Sequence, residues 1–327
     1  MSEHQRSGHD PVLGFLSLCL PIFAVVALGF MAARQRLVSP VMVAAIGLFS
    51  FNVALPALLL RLMAAQPLAQ SFEPAYFRGY LGACLVVFAA TMLVALWRRH
   101  GRQAAAAFGA AAAMGNVGYL APPLLLPMLG PRAAGPIAMA IIAEVAVIIA
   151  LGSVLMARGG GASGAGLRAA WDGLRGLARN PVILSICGGV LLAAVGWSLP
   201  DPIERFLAFL GGAAGPTALF ALGGTLARLS VGRDLLGVAA GAMLVKLMAY
   251  PALVWLVLGM WLQLDGVWVM AGVLLAAMPT ATNAFLLAQR HGAGAREASA
   301  AVLLSTVAAA VTFPVTAWLL GAPLTPP

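Results

Sequence analysis

Ten apolar segments, each long enough for a helix to cross a bilayer, follow one another along this chain of 327 residues. A spanning helix needs about 20 consecutive apolar residues. Charged residues make up 9% of the chain and hydrophobic residues 62%, whereas about a quarter of the residues in a soluble domain are charged. The sequence therefore predicts an all-α polytopic membrane protein with ten transmembrane helices. The segments lie at about 11–33, 40–65, 75–97, 103–129, 133–157, 181–199, 202–228, 235–262, 267–290 and 295–321.

The arginines are distributed unevenly between the two sides of these spans. The connections after spans one, three, five, seven and nine contain two, three, four, two and two arginines, and the opposite side, with both tails, contains five. Cytoplasmic loops carry an excess of basic residues. The alternation predicts a bacterial plasma (inner) membrane protein with both termini on the extracytoplasmic side. It also argues against nucleic-acid binding, which needs basic residues gathered on one face.

A Gly- and Ser-rich connection at residues 158–180 separates two sets of five spans. Its second part, with Leu167, Trp171 and Leu174 at helical spacing, predicts a short amphipathic helix in the cytoplasmic interface. An odd number of spans per half inverts the second half relative to the first, and inverted repeats are typical of secondary transporters. We therefore expect a first five-helix repeat at 1–157, a cytoplasmic linker at 158–180 and a second, inverted repeat at 181–327.

Spans four and nine are each interrupted by residues that break helices. AAMGNVGYLAPP runs from Ala112 to Pro123, and AAMPTATNAF runs from Ala276 to Phe285. Backbone that leaves helical geometry inside a membrane loses hydrogen bonds that lipid does not replace, so it is tolerated only where protein or a water-filled cavity surrounds it. We expect the two interruptions to meet near the middle of the membrane and to present free amides and helix ends to a small solute.

These interruptions supply most of the candidate substrate-binding residues. Their asparagine, threonine and tyrosine side chains offer hydrogen-bond groups, although each of them alone is more typical of helix packing or capping than of a ligand. Span two is also interrupted, by Pro56 close to Asn52, where a simple kink is the alternative. The candidates are Gly115, Asn116, Val117, Gly118, Tyr119, Pro279, Thr280, Ala281, Thr282 and Asn283, together with Asn52 and Lys246.

Two ionisable residues lie near the middle of their spans, Glu144 in span five and Lys246 in span eight. A charge at the centre of a spanning helix costs roughly 2.5–3.5 kcal/mol, so such residues avoid lipid. One interpretation is a buried structural pair, or separate contacts with helix ends. The other is functional: Lys246 attracts an anionic substrate, and Glu144 binds a coupling proton or helps to hold a cation.

The sequence contains no constellation of residues typical of catalysis, of a metal site or of a cofactor. Its four histidines, His4, His9, His100 and His291, lie in the tails or at span ends. No phosphate-binding loop of the type GxxxxGK[ST] occurs, so transport would draw its energy from gradients rather than from ATP. We therefore expect a protein that is not an enzyme and that has no cofactor.

The interrupted segments resemble the auxin efflux carrier family of membrane transporters. The resemblance covers essentially the whole chain, and the segments that carry it are GNVGYLAPPLLLPMLG at 115–130, GGAAGPTALFALGGTLA at 211–227, Lys246 with Pro251, AAMPTATNAFLLAQRHG at 276–292, and LPALL after Asn52. It implies two inverted five-helix repeats whose spans four and nine cross at broken centres. It also implies elevator-type alternating access, a scaffold and dimer interface formed by spans one, two, six and seven, and substrate contacts at Asn116 and 279–283.

The family resemblance further implies small organic anions as substrates, malonate-type dicarboxylates among them. We therefore predict a homodimeric secondary transporter of a small organic anion, with protons or sodium as possible coupling ions. A cation/proton antiporter, or a sodium-coupled symporter of similar architecture, is the alternative. An antiporter is expected to carry acidic residues close to the crossing, and residues 112–123 and 276–285 contain none.

Overall fold

The computed structural model describes residues 11–67, 71–157, 175–176, 178–229 and 235–323. Within these ranges the regular secondary structure is helical. Residues 158–174 and residue 177 belong to the predicted linker, so nearly all of its predicted amphipathic helix lies outside the described residues.

The first half of the described chain forms helices interrupted by two π-helical segments. A π-helical segment at Ser50–Ala54 joins α2 to α3, and another at Ile142–Ile148 joins α7 to α8. A turn at Gly130, where φ is 67°, separates α6 from α7. The helices are α1 (Pro11–Arg34), α2 (Pro40–Phe49), α3 (Leu55–Ala64), α4 (Pro74–Trp97), α5 (Arg102–Ala113), α6 (Val117–Leu129), α7 (Ala134–Ile141) and α8 (Ile149–Met156).

The second half is built from the same kinds of element. A π-helical segment at Val245–Ala249 joins α12 to α13, and a further one at Leu256–Trp261 follows α13. The helices are α9 (Pro181–Ala194), α10 (Asp201–Gly212), α11 (Ala214–Leu226), α12 (Leu236–Leu244), α13 (Tyr250–Trp255), α14 (Gly266–Ala276), α15 (Thr282–His291) and α16 (Ala295–Leu319).

Three of these helices begin with the same local signal, a polar cap followed by proline. The side chains of Ser39, Glu73 and Asn180 each accept a backbone N–H from the first turn of the helix that they precede. Proline follows each cap, where its missing N–H costs nothing because that position has no helical acceptor. The sequence itself therefore fixes where α2, α4 and α9 begin.

Seven helical stretches of the described residues are long and apolar enough to cross a membrane. One of them, Val117–Met156, contains the turn at Gly130. Two further apolar helices, α9 and α14, are shorter, and α14 is short because the span-nine interruption ends it. The chain is thus a polytopic helical membrane protein. The seven stretches are Ser17–Arg34, Pro40–Ala64, Pro74–Trp97, Val117–Met156, Asp201–Leu226, Leu236–Trp261 and Ala295–Leu319.

The two halves pack directly against each other through small residues. Helix α1 packs on α11, and α3 packs on α9. A Cβ at Gly223 would lie 1.9 Å from the carbonyl oxygen of Val26, and one at Gly29 would lie 2.1 Å from that of Phe220. The backbones of α1 and α11 therefore touch, which is the close approach that small residues permit between helices in membranes.

Candidate functional site: the paired helix breaks

The structure breaks spans four and nine at the positions that the sequence predicts. Span four stops as a helix at Ala113 and resumes at Val117, and span nine stops at Ala276 and resumes at Thr282. Between these ends the residues adopt extended or turn geometry. Each break leaves backbone groups without the i to i−4 partner of a continuous helix.

The two breaks bond to each other. The N–H of Asn116 donates to the carbonyl of Pro279 at 2.8 Å, and the N–H of Ala281 donates to the carbonyl of Met114 at 3.0 Å. The segments run antiparallel here, as a single β-bridge. The prediction that the interruptions meet is confirmed, and the contact restores hydrogen bonds that lipid would not supply.

Thr280 links the span-nine break to two neighbouring helices by hydrogen bonds. Its N–H donates to Oγ of Ser305 in α16 at 3.0 Å, and its hydroxyl donates to the carbonyl of Ala111 in α5 at 3.1 Å. The residue is fully buried. Both polar groups of this predicted substrate contact are therefore used within the protein, which is the behaviour of a residue that holds the break in shape.

The two buried charges satisfy opposite kinds of backbone group at the breaks. Oε2 of Glu144 accepts the N–H of Gly115 at 2.7 Å, and Nζ of Lys246 donates to the carbonyl of Ala276 at 2.8 Å. Both residues lie in π-helical segments, which occur frequently at functional sites. The carboxylate thus binds a donor near the start of α6, and the ammonium binds an acceptor at the end of α14.

Three tyrosines surround these charges. The hydroxyl of Tyr80 donates to Oε1 of Glu144 at 2.8 Å, and Nζ of Lys246 lies 4.4 Å from the ring centroid of Tyr250. Tyr76 stacks on Tyr80 with the ring centroids 5.7 Å apart. None of the three was a candidate from the sequence. A signal was available, because tyrosine in a membrane protein usually lies at the interfaces, whereas these three lie within predicted spans.

A small cavity of about 20 Å³ lies beside the paired breaks. This volume suffices for a water molecule, which needs roughly 10–15 Å³ by the same kind of measure, and a dicarboxylate is several times larger. Phe51 of span two lines the cavity, although the sequence did not single it out. Seven of the predicted candidates line it, as does Glu144: Gly115, Asn116, Val117, Gly118, Tyr119, Ala281 and Asn283.

Five other candidates lie outside the lining of this cavity. Pro279 and Thr280 are buried in the span-nine break, and Thr282 is buried at the start of α15. Lys246 is fully buried against α14. Asn52 is exposed on the surface of the span-two π-helical segment. The preceding residue, Phe51, lines the cavity instead.

Asn116 lines the cavity and has a side-chain donor that the protein leaves unused. The side chain is 3% exposed, and its Nδ2 has no hydrogen-bond partner among the described residues. Oγ1 of Thr282, also buried, has no partner there either. A buried polar atom without a partner costs about 1–3 kcal/mol, and native proteins keep such atoms mainly where they serve a purpose.

The first turns of two helices face this region. Val117, Gly118 and Tyr119 form the start of α6, and Asn283 belongs to the start of α15. The N-terminus of a helix carries partial positive charge and free N–H groups. Two such ends converge on the cavity, so its electrostatics favour a negatively charged group.

Within the described residues, no three His, Cys, Asp or Glu side chains come together as a metal site would require. The polar side chains among the residues that line the cavity are those of Glu144, Asn116, Tyr119 and Asn283. One carboxylate is fewer than the convergent ligands of a typical protein metal site, whereas the two helix ends bring positive partial charge that suits an anion.

Two comparisons with known proteins identify the relatives of this chain. A family model described as "Membrane transport protein" matches residues 15–165 and 171–317. The chain is also similar to a protein of Rhizobium meliloti (strain 1021) named "Putative malonate transporter". The two are 34% identical over 298 residues, which cover 90% of this chain and 92% of the relative.

Proposed function

This chain belongs to the membrane transport protein family, the auxin efflux carrier family that its motifs resemble, and on that premise we propose that it moves small organic anions. As a member it is an integral membrane transporter. The substrate class we propose is a small mono- or dicarboxylate, with malonate as the first compound to test because of the relative's name. Transport is secondary, driven by gradients.

The unused amide donor of Asn116 carries this proposal. Asn116 lines a cavity that residues from both breaks surround, and the N-termini of α6 and α15 contribute residues to the same lining. A carboxylate accepts hydrogen bonds only, so it matches the unused donor of Asn116 and the helix N-termini at this site. A cation would meet the positive ends of two helices there and would be disfavoured.

The packing of the helices supports elevator-type movement. Spans one, two, six and seven contact one another through the pairs α1 with α11, α3 with α9, and α2 with α11. We propose that they form the scaffold and the homodimer interface, and that the part with the paired breaks moves against them. Phe51 of the scaffold lines the cavity, so the substrate would bind at the boundary between the two parts.

The small size of the cavity supports the same mechanism. A volume of about 20 Å³ is too small for a dicarboxylate, so substrate binding requires the moving part and the scaffold to separate. We propose that this separation opens the site alternately to each side of the inner membrane. Ten spans in two inverted five-helix repeats, with both termini extracytoplasmic, would provide the symmetry for two such states.

Coupling to protons is the second part of the proposal, and one observation favours it. Glu144 lines the cavity and binds the backbone of the span-four break. A carboxylate at this position exchanges a proton next to the bound anion, and proton relays are a common role of acidic residues within membranes. A cation/proton antiporter would use the same residue but would bind no carboxylate.

Uptake by purified protein in liposomes tests the proposed function. Radiolabelled malonate would be supplied outside, with unlabelled mono- and dicarboxylates and the neutral diamide of malonate as competitors. We expect uptake that carboxylates suppress and the diamide does not. Equal suppression by the neutral diamide, or stabilisation of the protein by cations alone, would contradict an organic-anion site.

A further inference from the structure

We propose that the ammonium group of Lys246 occupies the position of a coupling cation, so that this transporter needs no sodium ion. The inference deepens the proposed function, because it assigns the ion requirement of the same site. In transporters with inverted repeats and broken helices, unwound carbonyls and the C-terminal ends of half-helices commonly coordinate Na⁺. Here a side chain of the protein itself lies at such an end.

The acceptor that Lys246 binds is the last carbonyl of α14. The carbonyls of Val273 and Leu275 accept the N–H groups of Ala277 and Met278 just beyond the helix. The carbonyl of Ala276 accepts Nζ of Lys246 at 2.8 Å instead. The C-terminal end of a helix carries partial negative charge, so the ammonium neutralises the end that the break exposes.

Two oxygens of the kind that bind hard cations lie, together with Nζ of Lys246, around the position that a Cβ of Gly115 would occupy. The position that a Cβ of Gly115 would occupy lies 3.1 Å from Nζ of Lys246, 3.3 Å from the carbonyl oxygen of Leu275 and 3.4 Å from Oε1 of Glu144. Backbone carbonyls and a carboxylate are ligands that alkali and alkaline-earth cations prefer. The ammonium therefore lies in the same small region as oxygens that would suit a metal cation, and it binds the carbonyl of Ala276 there.

The surroundings hold this positive charge in place. Lys246 has no exposed surface, and the ring of Tyr250 lies 4.4 Å from Nζ, within the range of a cation–π contact. Glu144 supplies an opposite charge close by. A tethered ammonium cannot leave with the substrate, so it stabilises the break in every state of the transport cycle and no sodium gradient is consumed.

Thermal unfolding of the purified full-length protein without substrate tests this inference. Midpoints would be measured in NaCl, LiCl, KCl and choline chloride at equal ionic strength. For the wild type we expect the same midpoint in NaCl and in choline chloride. A saturable rise with Na⁺ in the wild type would overturn the inference, and this measurement needs no variant to fold.

Two substitutions separate the charge of Lys246 from its volume. Lys246→Ala removes the ammonium but keeps the carbonyl of Ala276 and leaves space for a cation beside it. A ligand that binds only the folded state stabilises it. We therefore expect the unfolding midpoint of this variant to rise saturably with Na⁺ or Li⁺. Lys246→Met fills the space without a charge, and we expect no such rise. A Lys246→Ala protein that folds but responds to no cation, or responds as Lys246→Met does, would contradict the proposal.

These readouts are independent of substrate. If malonate uptake failed while the cation responses appeared as expected, the substrate assignment would be wrong and the role of Lys246 would stand. If malonate uptake succeeded but required Na⁺, the role of Lys246 would be wrong and the anion site would stand.

Discussion

Glu144 accepts the backbone N–H of Gly115 at 2.7 Å, so a side chain of span five replaces the helical partner that the break in span four removes. The other oxygen of the same carboxylate accepts the hydroxyl of Tyr80 at 2.8 Å. Glu144 also lines the cavity. One residue therefore links the packing that holds the break to the space where we expect the substrate.

Replacing Asn116 by alanine should weaken substrate binding while it leaves the fold intact. The Nδ2 donor has no partner among the described residues, so its removal costs the protein little. A hydrogen bond to a charged group contributes about 1.5–3 kcal/mol, which corresponds to roughly a ten- to hundred-fold loss of affinity. Malonate titration by calorimetry and thermal unfolding would measure the two effects separately.

Asn52→Ala is the matched control for this change. Asn52 is exposed and lies outside the cavity lining, although the sequence made it a candidate. We expect its malonate affinity to equal that of the wild type. Equal losses in the Asn116 and Asn52 variants would mean that the cavity is not the site of binding.

Replacing Tyr80 by phenylalanine should destabilise the protein more than the same change at Tyr250. Tyr80 donates to the buried carboxylate of Glu144. The hydroxyl of Tyr250 interacts instead with the uncharged side chains of Tyr80 and Cys84. Loss of a hydrogen bond to a charged group costs about 1.5–3 kcal/mol. Denaturant unfolding in detergent would compare the variants, and a larger loss for Tyr250→Phe would contradict the bonding described here.

Alanine at Gly223 should destabilise the contact between α1 and α11. Its Cβ would lie 1.9 Å from the carbonyl oxygen of Val26, so the helices must separate, and overpacking typically costs about 1–3 kcal/mol. Gly241→Ala is the control, because no atom lies within 4 Å of its Cβ position and alanine favours a helix. Thermal unfolding would measure the midpoints of both variants. An unchanged midpoint for Gly223→Ala would contradict the close packing of α1 and α11.

Much of the helical arrangement follows from local sequence. Proline after a polar cap fixes the start of α4 at Pro74, and the prolines and glycines of spans four and nine predict where those helices break. Backbone N–H and C=O groups at each break need hydrogen-bond partners within the protein, because lipid provides none. The contact between the two segments at Asn116 and Pro279 is therefore predictable.

The partners of individual side chains are not predictable in the same way. Nζ of Lys246 donates to a particular carbonyl because of the way in which the span that carries it packs against α14. This packing is a property of the tertiary structure, not of the local sequence. The same holds for Tyr80 and Glu144, which are 64 positions apart in the chain. The interruption of span nine made Thr280 a ligand candidate, but only the packing shows that Ser305 and Ala111 bind its N–H and hydroxyl groups.

Replacing Glu144 by glutamine should remove the part of the pH dependence of malonate uptake that comes from the protein, so that only the part due to the second ionisation of malonate itself remains. The amide keeps an oxygen that accepts the N–H of Gly115, so the break can retain its shape, but glutamine neither gains nor loses a proton in this range. Initial rates in liposomes between about pH 5 and pH 8, the range in which proton coupling is tested best, would measure the effect. Glu204→Gln is the control, because Glu204 pairs with Arg61 at 2.6 Å and lies outside the cavity lining. If Glu144→Gln kept the wild-type pH profile, Glu144 would have no part in coupling and its contacts with Gly115 and Tyr80 would be purely structural.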